Sequence, residues 1–373
     1  MGNQSYDRPT RKPKLQYYHE SVGSDCNQTD SFQGITAEDI HERIPNFVDT
    51  DVDKRPDFPP SNGFMPREAT FEEYSKELAP YFQMKLEHGI LEARAHTRGE
   101  ELIWSLPVHA HVHKLFEYVA NDRDVEVMIF GGTGDNLFSS IGAHGGNRDE
   151  SRPFMPMPED DPDYNWTLYE HSYIDGTSDI EYQVNLPIPL ITVWNGGGFH
   201  TDLVLLSDIT LATKDAWTTE QHFRVNMVPG DGVQIAWREL MGRKRFSYAE
   251  LTGEIITAKK AKEYGMVNEI HEDTETCYKR AWELAELIMH TATRQTRRLT
   301  TQVLRRPWKK DVVDELRDSF AAEMWNTATE ASPHHPIYWE AAKAQARAVL
   351  AAEEKGKVIY PRLGKFVEED PIE

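Results

Sequence analysis

Two short apolar runs stand out from a chain whose hydrophobic residues otherwise recur at helical spacing. Residues 125–130 (VEVMIF) and 189–194 (PLITVW) carry a single charged side chain between them, and each is followed closely by glycines. Runs of this length bounded by glycine are typical of strands buried on both faces of a parallel sheet. Because helical patterns alternate with these strands, the sequence predicts an α/β fold.

The hydrophobic pattern divides the chain into three parts. Residues 1–70 hold charged and proline-containing runs with little periodicity, which predicts an extension, partly disordered or wrapped over a neighbour. Residues 71–273 form the predicted core, in which the stretch 143–165 is rich in Gly, Pro and acids and is interpreted as an insert or lid. Residues 274–373 are predicted to be a helical oligomerisation region with a tail that wraps a partner.

A glycine loop follows each of the two apolar strands. The first, GGTGDNLFSSIG, matches neither the dinucleotide fingerprint GxGxxG nor the phosphate-binding loop GxxxxGK[ST]. It is either a plain turn or a source of backbone N–H groups, near Ser140, that form half of an oxyanion hole. The second loop, NGGGFH, leads into a short predicted helix, DLVLLSD, whose N-terminus also favours an anion.

Composition excludes several classes of protein. The chain has 373 residues, 39% of them hydrophobic, and 41 basic against 62 acidic residues, a formal charge of −21 that repels nucleic acid. Two distant cysteines support neither a disulfide framework nor a cysteine-based zinc site. No apolar run approaches the length of a membrane span and no signal peptide is evident, so we expect a cytoplasmic protein.

Three histidines, His109, His111 and His113, alternate with other residues in a predicted helix. Because alternation on a helix spreads side chains around the axis, we expect no shared metal-binding face.

The order of motifs resembles the crotonase (enoyl-CoA hydratase/isomerase) superfamily. The matching segments are GTGDNLFSS, NGGG, SDITLAT, VPGDG and LTGEIITAKKAKEYGMVNEI, and the similarity extends over about residues 71–328. The resemblance implies a ββα spiral with a helical C-terminal region, assembled as a trimer or a dimer of trimers.

Departures from that family lie at its reactive positions. Hydratases of the superfamily place a Glu seven residues before the Pro of the PG turn, where this chain has His222. Their other catalytic Glu is replaced by Asp202, and Phe199 and His200 stand where small glycines are usual. The residue after PG, usually small, is Asp231.

This altered set resembles the β-diketone hydrolases of the superfamily, of the 6-oxocamphor hydrolase type. The similarity rests on HF-x4-VPGDG-x4-W, which begins at His222, on Trp104 in EELIWS, on His200 and on Glu323 in a late helix. It implies hydrolysis of a 1,3-diketone to a keto acid through cleavage of a carbon–carbon bond, without coenzyme A, nucleotide or metal.

The resemblance also implies a role for each residue. His222 is the general base that activates water, and Asp231 accepts its other ring N–H. His200 and Trp104 donate to a substrate carbonyl and stabilise the enolate that leaves. Glu323 orients the substrate or relays a proton to the enolate carbon. The further substrate-binding positions are Ser140, Phe199 and Asp202, while Asp208 is expected to tether its strand.

Alternatives remain open for residues and function alike. Asp231 in PGDG is compatible with a simple turn, Trp104 with a core aromatic, His200 with a turn cap, and Glu323 with a solvated helix face. An acyl-CoA hydratase or isomerase is a competing enzyme class, disfavoured because its pair of glutamates is missing. A crotonase-like scaffold used only for binding is the other competitor.

Overall fold

The computed structural model describes residues 70–137, 140–141, 168–220, 222–330, 335–362 and 365–369. The predicted insert at 143–165, and the N-terminal extension except for Thr70, lie outside the described residues. In the described part, no helix is both long and apolar enough to cross a membrane.

The largest sheet has six strands. In chain order the strands are β1 Phe82–Glu87, β2 Ile90–Ala95, β3 Ile103–Trp104, β4 Val127–Gly132, β5 Ser140–Ile141, β6 Leu190–Trp194, β7 Gly197–Gly198, β8 Ile209–Thr213, β9 Trp217–Thr218, β10 Ile256–Thr257, β11 Glu269–His271, β12 Val358–Arg362 and β13 Lys365–Glu369. The sheet order is β1-β2-β4-β6-β8-β11, antiparallel at the first pair and parallel across the rest. The apolar runs that predicted two strands form β4 and β6, buried along their whole length.

Helices connect and cover these strands. They are α1 Phe71–Glu77, α2 Leu106–Asn121, α3 Asp175–Asn185, α4 Asp202–Leu205, α5 Val233–Met241, α6 Arg243–Thr252, α7 Ala258–Tyr264, α8 Thr274–Thr291, α9 Arg294–Leu304, α10 Arg306–Asp311, α11 Arg317–Glu330 and α12 His335–Glu354. The segments Leu168–Ile174 and Val312–Leu316 are π-helical, and Phe223–Val225 is a 3-10 turn.

The elements follow one another as turns of a spiral. A long strand of the large sheet is followed by a short strand of a second, three-stranded sheet, as β6 is by β7 and β8 by β9, with order β10-β9-β7. One face of the large sheet and the surrounding helices form the main core. The other face is covered by α8, whose Cys277, Tyr278 and Ala281 pack with Ile129 and Val193. The α/β spiral predicted from the motifs is therefore confirmed.

Several details differ from the expectations. β1 was not predicted, and α8, the first helix of the predicted oligomerisation region, covers the sheet. The C-terminal tail pairs β12 with β13 as an antiparallel hairpin.

The tether expected at Asp208 is present. Asp208 accepts a hydrogen bond from the Leu190 backbone N–H at 2.8 Å and is ion-paired with the buried Arg305.

Candidate active site

The turn at residues 229–232 and two helices form one wall of the candidate site. A Cβ atom at Gly230 would lie 2.4 Å from the backbone oxygen of Ser319, so only glycine lets this turn approach α11 so closely. Gln234 ties the two together by donating to the Gly230 carbonyl at 3.2 Å and to the Ser319 hydroxyl at 2.8 Å. This packing brings Asp231 and Glu323, 92 residues apart in sequence, to the same place.

His222 lies among carboxylates on both sides of its ring. Nδ1 is 2.5 Å from Oε1 of Glu220, which also accepts the His222 backbone N–H at 2.9 Å. On the opposite side, Nε2 is 3.5 Å from Oδ2 of Asp231 and 3.7 Å from Oε1 of Glu323. The predicted neighbourhood of His222 and Asp231 is present, but it involves Nε2, and the carboxylate at Nδ1 is Glu220. Glu220 can reach Nδ1 because it lies only two residues before His222 and also accepts the backbone N–H of His222.

His200 faces the same carboxylate from another loop. Its Nδ1 is 3.3 Å from Oδ2 of Asp231 and 3.7 Å from Oδ1 of Asp202. The His200 backbone has φ of +51°, a left-handed conformation that is uncommon outside glycine and for which histidine is enriched. The Trp237 indole donates to the Thr201 hydroxyl at 3.2 Å, so the tryptophan of the VPGDG-x4-W motif holds this loop.

Trp104 forms the third side of the site. Its ring lies against the His200 ring, with centroids 4.2 Å apart. The indole N–H, predicted to donate to a substrate carbonyl, donates here to Nε2 of His109 at 2.8 Å. His109 accepts through Nε2, so in the neutral ring its proton is on Nδ1, which faces Oδ2 of Asp179 at 3.8 Å.

A small pocket opens beside Trp104, His200 and Asp231, and His222 lies behind Asp231, outside the pocket lining. The pocket measures about 200 Å3 with its open mouth included. Its polar lining comes from Trp104, His109, Asp179, His200, Asp202 and Asp231, and its apolar lining from Ile180 and Leu203. Oδ1 of Asp202 and Nδ1 of His109 are buried and have no hydrogen-bond partner among the described residues. Buried polar atoms of this kind call for a ligand or water.

Burial and mutual charge set the protonation of the site. Burial alone lowers the pKa of His222, but the charges of Glu220, Asp231 and Glu323 outweigh it and raise that pKa well above its ordinary value. Burial opposes ionisation of Asp231, yet His222 and His200 hold the pKa of Asp231 below its usual range. Near neutral pH, His222 is therefore an imidazolium and Asp231 a carboxylate.

Neighbouring groups are driven to their neutral forms. Burial raises the pKa of Glu323 well above its ordinary value. Burial, opposed by the nearby His200 ring, raises the pKa of Asp202 to about 6, just below neutral pH. Burial, with the charge of His200, lowers the pKa of His109 to about 3. Widely different pKa values among neighbouring side chains are common where proton transfer occurs.

The structure brings most of the predicted residues together. His222, Asp231, His200, Glu323, Trp104 and Asp202 converge, and the buried Phe199 ring lies 5.1 Å from that of His200. Ser140 pairs with Ile103 beside Trp104 through its backbone; its side chain lies outside the described residues. Sequence reasoning missed Glu220, His109 and Asp179.

Two of the three histidines of α2 lie on one face of the helix, and the third does not. His111 does turn away and stacks on Tyr81. His109 and His113, however, are four residues apart and therefore share one face, where both Nδ1 atoms lie near Asp179, at 3.8 and 3.9 Å.

Two sets of side chains have the residue types of metal ligands. His200, Asp202 and Asp231 form one, and His222, Asp231 and Glu323 the other; within each, the potential ligand atoms lie within 4.8 Å of one another.

A spiral of strand pairs, with a pocket where histidines meet buried carboxylates, defines an α/β protein of the crotonase superfamily. The model of the enoyl-CoA hydratase/isomerase family matches residues 105–332, and the chain belongs to that family. Comparison with curated protein sequences finds no significant match.

Solved structures give a finer comparison. One is ABDH, a β-diketone hydrolase from the cyanobacterium Anabaena sp. PCC 7120 bound to (S)-3-oxocyclohexyl acetic acid; it is 26% identical, with a TM-score of 0.59, over 69% of this chain and 97% of that one. An enoyl-CoA hydratase/isomerase from Mycobacterium paratuberculosis is 19% identical, with a TM-score of 0.56, over 71% of this chain and 98% of that one. The second likeness shows the fold alone.

Proposed function

We propose that this protein is a β-diketone hydrolase that cleaves a carbon–carbon bond of a 1,3-diketone by a retro-Claisen reaction. The observation that carries the proposal is the convergence of two imidazoles, His222 and His200, on one carboxylate oxygen of Asp231. The 26% identity to ABDH, a β-diketone hydrolase, supports the same reaction class. The pair of glutamates expected of an acyl-CoA hydratase is replaced at both positions, by His222 and Asp202.

The first step is the addition of water. In this proposal the attacking water binds at Nε2 of His222, and Asp231 and Glu323 lie 3.5 and 3.7 Å from that nitrogen. Once the ring has lost its Nε2 proton, it takes one from water as the O–C bond to a substrate carbonyl forms. Asp231 and Glu220 stabilise the resulting imidazolium.

The second step is cleavage. The tetrahedral oxyanion collapses to a carboxylic acid, and the electron pair of the broken C–C bond passes to the enolate of the second carbonyl. His200 stabilises the charge on that oxygen from the opposite side of Asp231. Trp104 supports the His200 ring and can donate to the same oxygen when its N–H leaves His109. A proton from His222 or neutral Glu323 on the enolate carbon completes the keto acid.

A substrate panel tests this reaction. The full-length protein is incubated with cyclic and linear 1,3-diketones, and loss of enol absorbance is followed with product mass. We expect keto acids that carry one oxygen from labelled water. If no diketone is consumed while coenzyme A thioesters bind tightly in a calorimetric titration, the acyl-CoA class replaces this proposal.

A further inference from the structure

Glu220 makes the shortest polar contact to the base of the proposed reaction. Its Oε1 is 2.5 Å from Nδ1 of His222 and 2.9 Å from the backbone nitrogen of the same residue. Glu220 is only 3% exposed, so this double contact is made away from water. A charge-assisted hydrogen bond of this length fixes both the position and the rotation of the ring.

The two sides of the His222 ring are not equivalent. Asp231 and Glu323 lie 3.5 and 3.7 Å from Nε2, longer than the 2.7–2.9 Å that is typical of a charged hydrogen bond. The ring is therefore held at Nδ1, and Nε2 faces two carboxyl groups at longer distances. This is the arrangement that a base needs if Nε2 is to meet water while Nδ1 keeps its proton.

We propose that Glu220 is the positioning residue of the active site: it fixes the tautomer and orientation of His222 and stabilises its imidazolium form, while Asp231 lies on the water side between the two histidines. This inference rests on the proposed function. Four acidic side chains influence His222, namely Glu220, Asp231, Glu323 and Glu250. Of these, Glu220 alone among the described residues contacts Nδ1 at hydrogen-bond distance.

Glu250 of α6 supports the assignment. Burial, together with the charge of Glu220, raises the pKa of Glu250 to about 8, so this carboxyl is mostly neutral near pH 7. Glu250 therefore adds little negative charge behind Glu220, whose charge raises the pKa of His222. In serine hydrolases, too, a carboxylate that is hydrogen-bonded to Nδ1–H stabilises the imidazolium form of the histidine base.

Two variants separate charge from orientation. Glu220→Gln retains an oxygen acceptor for Nδ1 but removes the charge, whereas Glu220→Leu removes both. Glu92→Gln is the matched control, because Glu92 is a buried, ion-paired glutamate in β2, bound to Arg94 and the Trp282 indole. Ring-15N-labelled histidine is titrated by NMR in the full-length, substrate-free protein, with His222 assigned through His222→Ala, and pH–rate profiles are recorded with a diketone substrate.

We expect Glu220→Gln to lower the pKa of His222 by about one to three units, as loss of a close opposite charge does, and to shift the pH–rate profile with it. Glu220→Leu should lower kcat about 10²-fold or more with little change in KM, since the ring loses its orientation. An unchanged His222 titration in a folded Glu220→Gln protein overturns the proposal. Wild-type protein that hydrolyses no diketone overturns the proposed function alone, because the NMR titration still reports the Glu220–His222 pair.

Discussion

His200 and His222 approach the same oxygen of Asp231, at 3.3 and 3.5 Å, from loops separated by α4, β8 and β9. One carboxylate is thus placed to sense the charge of both rings. In the proposed reaction His222 gains a proton from water as His200 meets the developing enolate. Asp231 couples these two events electrostatically.

This coupling leads to a prediction for Asp231. We expect Asp231→Asn to lower kcat/KM by about 10²–10⁴, the range for loss of acid–base function. His200→Ala combined with Asp231→Asn should cost much less than the product of the two single effects, since both act through one contact. Steady-state kinetics with a diketone measures this, and Asp215→Asn, on an exposed turn, is the control. Strictly multiplicative losses would show that the two groups act independently.

The elevated pKa of His222 gives the pH dependence its sign. Because Glu220, Asp231 and Glu323 overcome the effect of burial and favour the imidazolium, the ring is mostly protonated near neutral pH. The free base forms only as pH rises, so kcat/KM should increase from neutral to alkaline pH. Burial keeps Glu323 mostly neutral, so Glu323→Gln should move the rising limb less than the loss of the Asp231 charge does. Initial rates across a pH series test this, and a limb that rises and ends below pH 6 would contradict it.

What the sequence predicts well depends on how local the signal is. β4 and β6 are apolar throughout and follow directly from composition, whereas β1 alternates exposed residues, including Lys85 and Glu87, with buried or partly buried ones, and was missed. The strict alternation of FQMKLE is itself the pattern of a half-buried strand, so it could have predicted β1. Its partner β2 was found because it is buried almost throughout.

The site shows the same division. His222 and Asp231 were found from a compact motif, and Glu323 from resemblance, because no spacing rule joins groups 92 residues apart. Glu220 lies in a polar stretch, TTEQH, that reads as a solvated loop. Only the fold buries it against the ring. The spacing E-x-H, with a turn between, is the signal that would have revealed it.

The Asp208–Arg305 contact is expected to matter for stability and not for chemistry. Arg305 is nearly inaccessible, and Asp208 also accepts the Leu190 backbone N–H. Asp208→Ala leaves a buried guanidinium without its partner carboxylate and should cost about 3–5 kcal/mol of unfolding free energy. The exposed bidentate pair Arg317–Glu181 is the comparison, and Arg317→Ala should cost about 1 kcal/mol or less. Urea unfolding measures both, and equal costs would refute the distinction.

The helices that follow α8 present an apolar surface. Leu299, Val303, Leu304, Val313 and Trp325 are all more than half exposed in the single chain. Large apolar side chains that are exposed in one chain can be buried between chains, and we expect these to contribute to the homotrimer or dimer of trimers predicted from the resemblance. Light scattering on the eluting protein measures the assembly. Val313→Asp with Trp325→Ser should dissociate it, with Tyr169→Ser, another exposed aromatic, as the control. A monomeric wild-type protein would contradict the expectation.

Gly230 connects packing to catalysis. A Cβ atom there would lie 2.4 Å from the Ser319 backbone oxygen, so the turn and α11 must separate in Gly230→Ala. We expect a stability loss of about 1–3 kcal/mol from overpacking, and a fall in kcat/KM of about 10²-fold as Asp231 and Glu323 move relative to His222. Thermal unfolding and diketone kinetics measure the two effects. Gly242→Ala is the control for loss of a glycine without a close contact, because no atom lies within 4 Å of the added Cβ and the strain there comes from its positive φ of +82°. It should lose stability through backbone strain and retain its activity, whereas equal activity losses at both positions would mean that the close approach of the turn to α11 is not what positions the acids.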